Sequence, residues 1–153
     1  MTILFFDNKN EIGNEIQEVM GKQIKKEGIE IYRTAENLYS RFHMPKADIS
    51  IMVLLADSKT VLIDLFLIRN LFFDIPIILI LPDRDEETIS RGHKFYPRFV
   101  SYVDSNFSEL ALVLNKMIRN LHSNGDKIAN RCKSYTHHMV LYNHKTDYVL
   151  PSQ

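Results

Sequence analysis

The chain has 153 residues, of which 45% are hydrophobic, enough for one domain-sized core without disulfides or metals. Nineteen Lys and Arg balance nineteen Asp and Glu, so no bulk field draws nucleic acid or an anionic membrane to the protein. A single cysteine, Cys132, cannot close an intrachain disulfide. Together with the lack of a secretory pattern, this predicts a cytoplasmic setting, and apolar stretches such as Ile75 to Pro82 fall far short of the roughly 20 residues a membrane span needs.

The neutral total hides an asymmetry. Residues 115–153 hold six cations (Lys116, Arg119, Lys127, Arg131, Lys133, Lys145) against Asp126 and Asp147, a net +4, which leaves −4 on the preceding residues. Opposite signs in the two parts suggest that the tail is a unit of its own, docking on its own domain or on a partner.

In chain order, Thr2 to Phe6 is an apolar run that stops at Asp7-Asn8, the profile of a buried strand. Ile12, Ile16, Val19, Met20 and Ile24 recur at helical spacing from Glu11 to Glu27, and Gly28 stands where a left-handed cap is expected. Ile29 to Tyr32 alternates as a strand, and Thr34 can cap a helix that runs to about Phe42 before Pro45. Ile49 to Leu55 is a third strand. Asp57 or Ser58 can cap the next helix, which is predicted to run through Arg69 to Leu71. The stretch from Pro76 to Pro82 is apolar on both faces, as a central parallel strand covered by helices should be. A charged loop from Asp83 to Glu87 leads into a helix over about Glu86 to Lys94, and Phe99 to Val103 forms a fifth strand. Asn106 and Glu109 resemble a capping box for a last helix lined by Leu110, Val113, Leu114, Met117 and Leu121. Strand–helix alternation with short connections gives (βα)5 and a parallel sheet. Ser123-Asn124-Gly125-Asp126 reads as a break. Beyond it, Met139 to Tyr142 and Tyr148 to Leu150 could pair as a small hairpin.

This element order, the acidic residue after the first strand, the Leu-Phe-Leu-Ile-Arg stretch ahead of Pro76-Ile77-Ile78, and Ser101-Tyr102 to Phe107 after the fifth resemble the receiver domain of bacterial response regulators. The resemblance covers residues 1–122, with 123–153 as a basic extension, and implies a flavodoxin-like three-layer sandwich around a five-stranded sheet. It also implies a site at the carboxyl ends of the strands, where receivers pass a phosphoryl group to an aspartate. That chemistry requires an acidic pair holding a divalent cation, a nucleophilic aspartate, a hydroxyl residue after the fourth strand and a lysine after the fifth.

Here the acidic pair maps to Asp7 and Asn8, the hydroxyl position to Leu81 and the lysine position to Ser105, while the aromatic on the fifth strand is kept as Tyr102. Counting from Asp48 puts Val53 at the phosphorylated position, whereas the strand end suggests Asp57. Without the hydroxyl and the lysine, most of the electrostatic stabilisation of phosphoryl transfer is lost. The implied protein is an atypical receiver that is not an enzyme and works by protein–protein contact. Asp83, Tyr102 and Phe107 would form its signalling face, with no cofactor beyond a weak magnesium ion at Asp7 and Asp57. The alternative is a phosphorylatable response regulator, a phosphorelay member with Asp57 as acceptor.

Other constellations are weaker. Cys132, His137, His138 and His144 fit no standard zinc spacing, the five glycines form no phosphate loop, and the basic tail holds no ordered nucleic-acid motif. On the third helix, Val61, Leu65, Ile68 and Phe72 form the expected inner face, yet Leu62, Ile63, Phe66, Leu67 and Phe73 continue the apolar surface around it. Such a helix is buried on more than one side. Ile63, Phe66 and Leu67 are therefore expected to meet the tail hairpin (Met139, Leu141, Val149) or a second copy in a homodimer.

Overall fold

The computed structural model describes residues 1–8, 10–24, 28–44 and 48–124. The suggested hairpin and the Cys132 and histidine group lie outside the described residues. Met1–Asn115 form one compact unit, and Lys116–Gln153 a second, described only over its helical residues 116–124.

Five strands, β1 (Thr2–Phe6), β2 (Ile29–Tyr32), β3 (Ile49–Leu55), β4 (Ile77–Leu81) and β5 (Phe99–Tyr102), alternate with helices α1 (Glu11–Gln23), α2 (Ala35–Phe42), α3 (Lys59–Leu67), α4 (Glu86–His93) and α5 (residues 108–124). All strand pairs are parallel, in the order β2-β1-β3-β4-β5. This is the flavodoxin-like arrangement. The three central strands are buried along their length except at Thr2 and Ser50, because helices cover both faces of a parallel sheet and no polar face is needed. Leu4, Phe6, Met52, Leu54, Leu79 and Leu81 pack in one cluster with Leu38 of α2 and Leu62 and Leu65 of α3. The alternate positions, among them Ile3, Phe5, Ile51, Val53 and Ile78, are equally buried and face the other side by the two-residue period of a strand.

The capping expectations hold at several points. Thr34 Oγ1 accepts from Asn37 N at 3.1 Å, Ser58 Oγ from Val61 N at 3.3 Å and Asn106 Oδ1 from Ser108 N at 2.9 Å. Ser58, not Asp57, caps α3, which frees the Asp57 side chain.

Three local readings are corrected. α1 ends at Gln23, with Ile24 already extended, and Gly28 has no positive φ, so there is no left-handed glycine cap. A β-branched residue favours the extended conformation at that exit. α3 stops at Leu67, and Arg69–Phe72 form a separate 3-10 turn. Arg69 Nη1 donates to Phe66 O at 2.9 Å, which satisfies a carbonyl the ended helix leaves open. The inner set also differs: Leu62, with Leu65 and Phe72, is buried, while Val61 and Ile68 are half-buried.

Candidate functional site

In open α/β sheets ligands gather at the carboxyl ends of the strands, and β1, β3 and β4 end here at Asp7, Asp57 and Asp83. Asp7 follows β1 directly and is fully buried. Its backbone N–H donates to Tyr32 O at 3.0 Å, and its carboxylate is enclosed on several sides. Arg33 Nη1 approaches Oδ2 at 2.5 Å, Gln17 Nε2 donates to the same oxygen at 3.4 Å, and Asn10 N donates to Oδ1 at 3.2 Å. The same guanidinium reaches Asp7 O at 3.4 Å. A buried carboxylate is tolerated only when paired and hydrogen-bonded, and Arg33 supplies the charge.

The pair depends on a glycine. A Cβ on Gly13 would lie 2.1 Å from Asp7 Oδ2 and 2.2 Å from its Cγ. The first turn of α1 therefore lies directly on the carboxylate, and only a residue without a side chain allows that approach.

Asp57 sits just past β3 and is half-buried. Asn10 links it to Asp7: its side-chain Nδ2 donates to Asp57 Oδ2 at 3.0 Å, its backbone N–H serves Asp7, and its Oδ1 caps α1 by accepting from Ile12 N at 3.2 Å. Asp57 Oδ1 is buried without a hydrogen-bond partner. Val53 lies inside β3, fully buried and in register with Phe5 and Ile78, away from the strand end. Asn8 is exposed. Leu81 is buried, and its methyl carbons would lie 3.1 Å from a Cβ on Gly92, so the side chain faces α4 as packing. Ser105 closes a turn through its N–H to Tyr102 O at 3.0 Å.

The acidic loop is held by a cation. Lys59, two residues beyond Asp57, lies 2.5 Å from Asp85 Oδ2 and 3.9 Å from Asp83 Oδ2, and the Asp85 bond raises its pKa. Asp83 is held below the ordinary carboxylate range, first by the Thr88 hydroxyl, then by the Asp85 backbone N–H and Lys59. Arg84 stacks over Tyr102 at 4.1 Å and grips Asp104 through contacts of 2.9 and 2.7 Å, which lowers the Asp104 pKa. Phe107 is 3% exposed and does not belong to this surface, which is formed by Tyr102, Arg84 and Asp104. On α3, Leu67 is 72% exposed and Ile63 is also exposed. Phe66 is half-buried, with Arg69 at 3.8 Å, Lys94 at 5.7 Å and Arg91 at 5.9 Å from its ring centre.

A divalent cation does not fit this site. Magnesium requires near-octahedral oxygen coordination, but the Asp7 oxygens are engaged by Arg33, Gln17 and Asn10, and Asp57 Oδ2 by Asn10. Only Asp57 Oδ1 remains without a partner, and no group of three or more His, Cys, Asp or Glu that could hold a metal occurs among the described residues.

Sequence reasoning missed Arg33, Asn10, Gln17 and Gly13. The signals were a glycine within the first turn of a helix, which implies a packing reason, and an arginine at the end of the strand beside β1.

The sheet order, the alternating helices and the strand-end cluster define a receiver fold. Solved structures with this fold include the signal receiver domain of an HD domain-containing protein from Pseudomonas fluorescens Pf-5, with TM-score 0.62 and 17% identity over 80% of this chain and 97% of that one. A response regulator receiver protein from Pseudoalteromonas atlantica is similar too, with TM-score 0.59 and 13% identity over 82% of this chain and 99% of that one. No family model matches the sequence, and no curated protein is similar to it. None of the described helices is long and apolar enough to cross a membrane.

Proposed function

We propose that the chain is an atypical, non-enzymatic receiver domain in two-component-type signalling that acts through protein contact without aspartyl phosphorylation. The observation that carries this reading is Asp7, whose buried carboxylate is neutralised by Arg33 at 2.5 Å. A fixed guanidinium there takes the place of an exchangeable cation. Leu81 does not supply the hydroxyl, and Ser105 does not supply the positive charge, that phosphoryl transfer needs at the positions the resemblance maps to them. The recognition surface in this reading is Arg84, Tyr102 and Asp104 beside the Asp83 loop.

One observation favours the second reading, in which Asp57 accepts a phosphoryl group: its Oδ1 has no partner and could attack phosphorus to form an acyl phosphate as the donor's leaving group departs. Incubating the full chain with a small phosphodonor and magnesium, followed by intact-mass measurement, separates the two. We expect an unchanged mass. A phosphoryl adduct that disappears in Asp57→Asn would overturn the proposal.

A further inference from the structure

The amino end of the sheet differs in kind from the carboxyl end. There, ahead of β4 and β5, the segments 69–76 and 93–98 enclose an open groove of about 1160 Å³. Two aromatic side chains stand out from its walls, Phe73 at 81% and Tyr96 at 89% exposure. Tyr96 has φ 51 and its neighbour across the groove, Asp74, φ 66. The left-handed region is unfavourable for a bulky residue. An exposed ring cannot compensate that strain by packing, and retained strain of this kind points to function.

The charge is one-sided as well. Arg69, Lys94 and Arg98 line the groove with His93, against the single carboxylate of Asp74. Arg69 is committed to the end of α3, but Lys94 and Arg98 are exposed, and the main chain of Arg98 is anchored to β4 by its backbone N–H to Ile77 O at 2.8 Å. Apolar anchors between cations fit either a single-stranded nucleic acid or an acidic protein segment. The charge of the whole domain decides. Residues 1–115 carry a net −4, which opposes a long polyanion but spares a short acidic segment confined to the groove.

We propose that this groove binds an acidic segment of a partner protein, with an apolar or aromatic side chain of that segment placed between Phe73 and Tyr96 and its carboxylates on Lys94 and Arg98. The proposal rests on the reading that the chain acts through protein contact, and names where and with what chemistry.

The test is a titration of the full ¹⁵N-labelled chain, followed by amide shifts, with a short synthetic peptide in which Glu and Asp flank a Leu and a Phe. Its Gln and Asn counterpart and a single-stranded oligothymidylate serve as the other arms. The acidic peptide should shift amides of residues 69–76 and 93–98. Binding should weaken at least about tenfold in the Lys94→Glu, Arg98→Glu double variant, where rim charges are reversed. It should also be lost in Tyr96→Gly, which melts no lower than the wild type because glycine accepts the backbone conformation. Three results would overturn the proposal: no shifts in these segments, equal binding of the neutral peptide, or tighter binding of oligothymidylate. Concentration-dependent shifts at Leu67 and Phe73 without peptide would overturn it in favour of a second copy. The phosphodonor experiment is blind to this groove, so failure here and failure of the signalling reading are separate results.

Discussion

The two ends of the sheet handle charge in opposite ways. At the carboxyl end, Asp7 is buried under Arg33, Gln17 and Asn10, and the Asp83 loop is held by Lys59. At the amino end of β4 and β5, Lys94, Arg98, Phe73 and Tyr96 are exposed. The receiver fold normally concentrates reactivity at the first of these ends. In this chain internal partners enclose the Asp7 carboxylate at that end, beside the Arg84, Tyr102 and Asp104 surface, whereas at the other end exposed cations and aromatic rings line an open groove.

The largest expected effect breaks the closed end directly. Gly13→Ala would place a methyl group 2.1 Å from Asp7 Oδ2, so either the helix or the carboxylate with its partners must move. We expect a loss of about 3 kcal/mol and a melting temperature lower by about 10 °C. Combining it with Asp7→Ala removes the obstruction, and the double variant should regain about 2 kcal/mol of coupling. A Gly13→Ala protein that melts with the wild type would mean that Asp7 is not pressed against α1.

Much of this could be read from residues alone, and the division has a physical basis. β1, β3 and β4 are apolar runs with abrupt polar ends, and their bounds follow from the sequence because burial on both faces demands it. What escaped the sequence depends on proximity across the fold. Arg33 meets Asp7 only because β2 lies beside β1 in register, Phe6 opposite Tyr32. Asn10 reads as an ordinary cap until its amide is seen on Asp57. The end of α3 was also beyond reach, since an apolar sequence continues through Phe73 while the backbone tightens at Arg69.

A smaller effect sharpens the comparison by asking what Arg33 does. Arg33→Ala leaves a buried carboxylate with only Gln17 and Asn10. Because the guanidinium is 42% exposed, the expected cost is about 2 kcal/mol, below that of a fully buried pair. The informative readout is magnesium. The wild type should melt at the same temperature with or without millimolar magnesium. Arg33→Ala should be stabilised by it, because an uncompensated Asp7 near Asp57 now favours a cation, and binding to the native state raises stability. Magnesium stabilisation of the wild type would show that Arg33 does not close the site.

The smallest effect lies at the edge strand, where Glu30 of β2 pairs with Arg41 of α2 through contacts of 2.8 and 3.2 Å. The Arg41 hydrogen bond lowers the Glu30 pKa, against the opposing effect of burial. A carboxylate with a depressed folded pKa contributes stability that is present above its unfolded value and lost as the pH falls through the folded one. Glu30, Asp83 and Asp104 are all depressed in this way, so melting temperature should begin to fall below roughly pH 4. Asp83 and Asp104 are surface groups whose pairs salt screens. Added salt should therefore flatten their part of the acid limb, while the less exposed Glu30–Arg41 pair retains its part. Arg41→Met then isolates that pair: at high salt it should make the remaining acid limb shallower. An acid limb identical to the wild type would show that the Glu30 pair carries no pH-linked stability.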